Sequence, residues 1–446
     1  MISVAGIRGI VGESLTPPVI STFTAAFARS CGSGAVVVGR DARTSGPAVR
    51  HAVAAGLAAA GRDMVDLGLA TTPTTQVAVE HLGAAGGVIL TASHNPAQWN
   101  ALKFLSARGE FLSAAEGAAV RERAETGRDL WVGFEKLGRV SREDRALDWH
   151  LGRVLALEFI DVPRLRERRL RIVVDGCASV GGLAVPPLLR ALGAEVHELD
   201  CVPNGAFTRE LEPLPDHLGA LGREVIRHGA DFGIALDPDA DRAAFVDHLG
   251  RPLGEEFTLA LAAQVVLAHR PGPLVTNLST SRIVDAICAR AGVPIHRTAV
   301  GEAHVVAGMR AHGAVVGGEG NGGVILPAAH YGRDGLVAAA LLAQAVAGAG
   351  CTLRELADRL PRYAMIKCKM ERADEPFERA ATRLRSSFSG LAVDETDGLR
   401  FSRDDEWVHV RASGTEPVVR VIAESPSEER TRGLIDQAER ALRAAR

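Results

Sequence analysis

GGVILTASHNPAQWNALKF, residues 86–104, decides how this chain is read. Val88-Ile89-Leu90 is an apolar run of strand type. It empties into Thr91-Ala92-Ser93-His94-Asn95-Pro96, and the next apolar run begins around Lys103. A plain turn needs Gly, Asn or Pro. It has no use for a serine beside a histidine. The same abrupt ending recurs along the chain. Val36-Val37-Val38 runs into Gly39-Arg40-Asp41, Ile172-Val173-Val174 into Asp175-Gly176, and Gly233-Ile234-Ala235-Leu236 into Asp237. Leu274-Val275 runs into Thr276-Asn277-Leu278-Ser279, and Val315-Val316 into Gly317-Gly318-Glu319. These strand ends pair as 36 with 88, 172 with 233, and 274 with 315, and each pair encloses Ala/Leu-rich helical stretches. The pattern predicts three similar α/β units in series. In open α/β sheets ligands lie beyond the carboxyl ends of the strands, so chemistry is expected in these loops.

The tail reads differently. A helix is expected over 371–385, strands over 407–410 and 418–423, and a charged helix to the end, which together make a small α+β domain. Charged stretches at 121–128 (an exposed helix), 164–169 and 358–370 separate the units. The expected division is 1–150 with the serine loop, 151–252 with an acidic loop, 253–366 with the Glu319 loop, and 367–446 for the tail.

Composition narrows the partners. The chain has 446 residues, 47% hydrophobic and 24% charged, the composition of a soluble globular protein. A net charge of −3 gives no reason to expect nucleic acid or an anionic membrane. Aromatics, at 4%, are too few for base-stacking platforms. The first residues lack the basic segment and apolar core of a signal peptide. The longest apolar stretch, 336–348, contains Gln344 and falls short of the roughly 20 residues a membrane helix needs, so it is expected to be a buried helix. Six cysteines (31, 177, 201, 288, 351, 368) form no CxxC pair, which suits reduced thiols in the cytoplasm.

Asp237-Pro238-Asp239-Ala240-Asp241-Arg242 is the strongest chemical signal. Alternate residues on extended backbone share a side, so three carboxylates can converge. Their mutual repulsion calls for a hard divalent cation, and Mg²⁺ favours a few carboxylate oxygens completed by phosphate. Otherwise this is a solvated acidic loop. It is not an EF-hand, which needs Gly and Glu where Arg242 and His248 stand. Ser93 beside His94 could be a nucleophile, or a serine that only bonds local backbone. No G-x-S-x-G elbow surrounds it. Asn95-Pro96 would stiffen the loop. Lys103 is a candidate charge partner or proton-transfer group, or else a surface lysine. In the tail, Arg411, Ser413, Gly414 and Thr415, with Arg420 on the next strand, suit a dianionic phosphate, where the alternative is a structural hairpin. The glycine-rich run 317–323 is no dinucleotide site, because a strand-like run follows it rather than a helix. Glu319 and Asn321 are expected to project into a cleft. Residues 34–39 mimic a P-loop, but Arg40-Asp41 replaces the required Lys-Ser/Thr.

Taken together, these loops resemble the α-D-phosphohexomutase family of phosphoglucomutases, phosphomannomutases and phosphoglucosamine mutases. The motifs run through the whole chain in order: Gly6-Ile7-Arg8-Gly9, Gly39-Arg40-Asp41, 91–96, 237–242 and 411–417. The resemblance implies three similar α/β domains and a C-terminal α+β domain around a central cleft. It implies that Ser93 carries a phosphoryl group and, with Asp237, Asp239 and Asp241, binds Mg²⁺. Arg8, Lys103 and Arg242 would surround the transfer site. Glu319 would contact sugar hydroxyls, and Arg411, Ser413, Gly414, Thr415 and Arg420 would hold the other phosphate. Hexose 6-phosphate and 1-phosphate would interconvert through a bisphosphate, with hexose 1,6-bisphosphate as activator. The implied partner is a small sugar phosphate, with no nucleic acid or membrane, for a monomer or homodimer. Many relatives read Glu-x-Ser-Gly-His in the sugar loop. Here Glu319-Gly320-Asn321-Gly322-Gly323 lacks the imidazole, and His304 and His330 are the candidates to replace it. This form, with Gln98-Trp99-Asn100, is similar to the archaeal-type branch assigned as phosphoglucosamine mutase. A phosphatase and a non-catalytic sugar-phosphate binder are the readings from other classes.

Overall fold

The computed structural model describes residues 2–3, 6–371, 376–412 and 418–443. Among the described residues four sheets follow one another along the chain, of seven, four, five and five strands. The first three share one plan. A central strand (Val36–Arg40, Arg171–Asp175, Leu274–Asn277) lies parallel to the next strand in sequence on one side and to the third on the other. A fourth strand then turns back antiparallel against the third: Trp99–Leu105 on Gly86–Leu90, Ala243–Asp247 on Phe232–Leu236, and Gly323–Leu326 on Val316–Glu319. The expected architecture, three similar α/β domains and a C-terminal α+β domain, is the one observed.

The repeat has a consequence for chemistry. The serine loop, the Asp237–Arg242 loop and the Glu319 loop occupy the same topological place, each joining the third strand to its antiparallel fourth. They are equivalent corners of three copies of one unit, and the packing turns the three corners towards each other.

The second strand of each unit, Met64–Leu69, Glu195–Leu199 and Ile295–Thr298, gave no apolar run in the sequence. The latter two are sheet edges and only partly covered, so they carry polar residues. The first is interrupted by Asp66 and Gly68.

The apolar stretch read as a buried helix is one: Gly335–Ala349 is covered along most of its length. Asp334 caps it by accepting from the Leu336 and Val337 N–H groups. Leu336, Val337, Leu341, Leu342 and Val346 join a cluster that runs through the second and third units as one core. Each such side chain contributes about 1.5–3 kcal/mol on burial. Among the described residues no helix is long and apolar enough to cross a membrane. All six cysteines are free.

The tail differs from expectation at its start. Residues 364–371, read as part of a charged spacer running into a helix, form the strand Ala364–Glu371, and the helix is Phe377–Ser387. The strand pairs along its length with Val418–Ser425, so the 366/367 division falls inside it. Its apolar residues alternate with Lys367, Lys369 and Glu371, as suits a sheet edge with one face packed. The exposed helix expected at 121–128 is Ala114–Thr126, started by a Ser113/Glu116 capping box and ended by Gly127 in the left-handed region.

Candidate active site

Ser93 takes a left-handed φ of 50°, a conformation that costs a non-glycine residue about 1–3 kcal/mol and persists only where surroundings enforce it. The enforcing group is Arg43, a residue the sequence reading passed over. Its side chain is fully buried, and its guanidinium donates to four loop carbonyls: Ser93 (2.6 Å), Asn95 (2.6 Å), Pro96 (2.8 Å) and Trp99 (3.0 Å). Its Nε donates to Asp41 at 3.1 Å, and Asp41 also accepts from the Thr91 hydroxyl. Thr91 in turn accepts the Ser93 N–H. The signal was available: Gly39-Arg40-Asp41-Ala42-Arg43 extends a loop already singled out.

The loop presents the Ser93 hydroxyl to the second unit, where it donates to Asp237 Oδ2 at 3.0 Å. Asp237, Asp239 and Asp241 are wholly buried and offer one oxygen each within 4.8 Å of one another. Their other oxygens are tied down. Asp239 Oδ2 accepts from Lys103 (2.8 Å) and from the Thr72 hydroxyl (2.7 Å). Asp241 Oδ2 accepts from Arg333 at 2.6 Å. Among the described residues Asp239 Oδ1 and Asp241 Oδ1 have no hydrogen-bond partner. Thr72 and Arg333, like Arg43, were not anticipated, because neither stands in a recognisable motif.

Electrostatics fit a cation here. Burial, and then the charges of Asp241 and Asp239, push the Asp237 carboxyl well above its ordinary range. Against burial, Lys103 and Thr72 hold Asp239 well below it. Five buried carboxylates (these three, Glu302 and Glu319) meet three cations, Lys103, Arg242 and Arg333. An all-oxygen donor set, with two oxygens that accept no hydrogen bond among the described residues, suits a hard divalent ion. A second cluster of possible ligands, His150, His330 and Asp334, is closed by its own hydrogen bonds: both imidazoles bond Asp334 Oδ2, and its other oxygen caps the helix.

His94 Nδ1 lies 3.5 Å from Ser93 Oγ. Burial, with Arg242 beside it, lowers the imidazole well below its usual range, so His94 is neutral at pH 7. Arg8 donates to the Asn95 side chain at 3.2 Å. Arg242 Nε stands 3.7 Å from Asp241, and its other end reaches Glu212.

In the third unit Glu319 accepts four bonds, from Asn277 (2.7 Å), the Gly301 N–H (2.9 Å), Arg333 (2.8 Å) and Asn321 (3.4 Å). Arg333 and Asn277 hold its carboxyl below the usual range despite burial. The long Asn321 bond is the weakest of the four. Of the two histidines considered for the missing imidazole, His330 is buried and bonded to Asp334, and His304 is exposed on the first turn of Glu302–His312.

Arg411 and Arg420 lie directly opposite each other on paired strands of the tail. Like charges so placed repel, and an anion between them relieves this. Burial lowers the Arg411 pKa against the opposing charge of Asp397, 3.7 Å away, and Lys367 on the first strand of the tail donates to the Gly320 carbonyl at 3.5 Å, which sets the tail beside the Glu319 loop. Ser413, Gly414 and Thr415 lie outside the described residues.

Comparison with known proteins agrees with this geometry. Residues 2–130, 152–250 and 254–363 match models of the phosphoglucomutase/phosphomannomutase alpha/beta/alpha domains I, II and III, and 365–441 matches the C-terminal domain of the same family. The chain is 38% identical to a probable phosphoglucosamine mutase of Methanopyrus kandleri, covering 97% of this chain and 95% of that one. It is 37% identical to a phosphoglucomutase/phosphomannomutase of Thermococcus kodakarensis, covering 97% and 96%. A crystal structure of a phosphoglucomutase/phosphomannomutase family protein from Burkholderia thailandensis superposes with a TM-score of 0.86 at 29% identity, over 100% of this chain and 98% of the other. Four matched domains in order, three convergent corner loops and full-length relatives lead to one conclusion: the chain belongs to the phosphoglucomutase/phosphomannomutase family of phosphohexomutases.

Proposed function

We propose that the protein interconverts hexose 6-phosphate and hexose 1-phosphate through a phosphoserine at Ser93, with glucosamine phosphate as the favoured substrate. The observation that carries this is the 3.0 Å bond from Ser93 Oγ to a buried carboxylate of another unit, within a cluster that has oxygens to spare. Phospho-Ser93 gives its phosphoryl group to a sugar hydroxyl: the P–Oγ bond breaks as the new P–O bond forms, and the hydroxyl proton ends on Ser93 Oγ, with His94 beside it to relay the proton. The resulting bisphosphate turns over in the cleft, and Ser93 takes back the other phosphate. His94, held neutral, is placed to take the hydroxyl proton when Ser93 is phosphorylated. Arg8, Lys103 and Arg242 supply fixed positive charge around the transferring group. Asp237, Asp239 and Asp241, with an oxygen at Ser93, would hold Mg²⁺, which when bound neutralises charge on the phosphoryl oxygens. Hexose 1,6-bisphosphate would prime an unphosphorylated Ser93. Glu319 and Asn321 would bind sugar hydroxyls, and Arg411 and Arg420, with Ser413, Gly414 and Thr415, the distal phosphate.

A phosphoglucomutase/phosphomannomutase of broad tolerance is the second reading, since relatives of nearly equal identity carry both names. ³¹P NMR with Mg²⁺, a trace of hexose 1,6-bisphosphate, and glucosamine, glucose or mannose 6-phosphate in turn separates them. A growing 1-phosphate resonance is expected, and the order of rates names the sugar. Free phosphate alone would mean a phosphatase and a misread tail.

Two variants test the two ends of the cleft. Asp239→Asn removes a ligand charge and the partner of Lys103. The Mg²⁺ concentration for half-maximal rate should rise roughly tenfold as kcat falls. An unchanged metal titration would end the metal assignment. Arg411→Ala should raise KM by about 10–100-fold with little loss of kcat, because phosphate contacts far from the reacting atoms bind ground and transition states alike. A pure kcat loss would contradict a clamp.

A further inference from the structure

We propose that Arg333 is a positioning residue that couples the metal loop to the sugar loop. The proposal rests on the mutase reading and adds a residue to it. Arg333 ends the short strand His330–Arg333, which pairs antiparallel with Gly323–Leu326. Its guanidinium uses three different nitrogens on three buried carboxylates from two units. Nη2 donates to Asp241 (2.6 Å), Nη1 to Glu319 (2.8 Å) and Nε to Glu302 (2.9 Å). The bond to Asp241 fixes one oxygen and so aims the other, and the bonds to Glu319 and Glu302 each secure one oxygen of a carboxylate already held at its second. Asp241 Oδ1 accepts no hydrogen bond among the described residues, lies 3.7 Å from Arg242 Nε, and belongs to the three-carboxylate cluster. Glu319 Oε2 takes Arg333 together with the long Asn321 bond, while Oε1 is held by Asn277 and the Gly301 N–H, so the carboxylate is fixed at both oxygens.

The backbone makes room for this. A Cβ on residue 323 would lie 2.3 Å from Arg333 Cδ and 3.0 Å from Cγ. Gly323 is therefore the passage through which the arginine crosses, and the bare position in the sugar loop is filled from the neighbouring strand. Glu302 serves as the anchor, held on its other side by Gln76 at 3.3 Å. A rigid planar fork is required because no ammonium can meet three acceptors in these directions. Since Asp241 belongs to the second unit and Glu319 to the third, a shift of either loop pulls on the other through one side chain.

The test uses Arg333→Lys, which keeps the charge, and Gly323→Ala, which keeps the guanidinium and pushes it aside. Mn²⁺ binding is followed by electron paramagnetic resonance without sugar, alongside kcat and KM. Each variant should weaken Mn²⁺ binding about tenfold, lower kcat by roughly 10²-fold and raise the sugar phosphate KM several-fold, as expected when a group orienting a metal ligand is lost. The double variant should be no worse than the poorer single one. Where Arg333→Lys does not fold, Gly323→Ala carries the same comparison. Mn²⁺ affinity and kcat within twofold of the parent would overturn the proposal. So would a kcat loss with Mn²⁺ affinity unchanged, because Arg333 would then act on the sugar loop alone. Near-normal turnover in Ser93→Ala would end the phosphoserine reading and leave the Mn²⁺ result standing.

Discussion

Ser93→Ala should fold as the parent does and turn over at least about 10⁴-fold more slowly. The side chain is small, and among the described residues its hydroxyl bonds Asp237 and His94, so the loss of one hydroxyl removes little packing. The left-handed φ at residue 93 is no harder for alanine than for serine, and Arg43 still grips the loop carbonyls. What disappears is the oxygen that carries the phosphoryl group. Intact mass of the parent, incubated with hexose 1,6-bisphosphate, should show one added phosphoryl group that the variant lacks. Near-normal turnover in the variant would remove the phosphoserine mechanism altogether.

Arg43→Lys should be the most damaging conservative substitution in the first unit. Lysine has three donors on one point, while the loop offers four carbonyls and Asp41 in a fork-shaped arrangement. At least one buried carbonyl and part of the Asp41 charge would be left unpaired, at about 1–3 kcal/mol for each unsatisfied group. That is comparable to the strain stored at Ser93, so the loop should relax and withdraw the hydroxyl from Asp237. The expected result is a kcat lower by about 10²–10³-fold, a KM near that of the parent, and a measurably lower Tm. The fast phosphorylation of Ser93 by bisphosphate, read by rapid-quench mass analysis, should slow in step with kcat. A variant that lost stability but kept kcat would show that Arg43 only holds the fold.

Ser93 and Arg43 differ in how plainly the sequence marks them. Ser93 was legible because a reactive pair, Ser93-His94, broke the expected chemistry of a turn. The three aspartates were legible because like charges two residues apart need a reason. Arg43, Thr72 and Arg333 were not, since an arginine or threonine near an apolar run has many ordinary explanations. Nothing local distinguishes an arginine that will bond four carbonyls or three carboxylates. Those acceptors lie up to 56 residues away for Arg43, and 92 for Arg333. The strands Glu195–Leu199 and Ile295–Thr298 escaped notice for a related reason: an edge strand borrows its order from its neighbour and carries little apolar signal of its own.

By itself the sequence determined the repeat of α/β units, the buried helix before residue 350, the acidic loop and the serine loop. Each depends on residues close together in the chain, where side-chain period, turn chemistry and charge spacing act within a few positions. Only the tertiary structure decided that the three loops are equivalent corners facing one another, that Ser93 Oγ meets Asp237, and that Arg333 fills the gap beside Gly323. Those facts come from packing separate units against each other. A contact between residues far apart in sequence is set by the shapes of whole faces, which no short stretch contains.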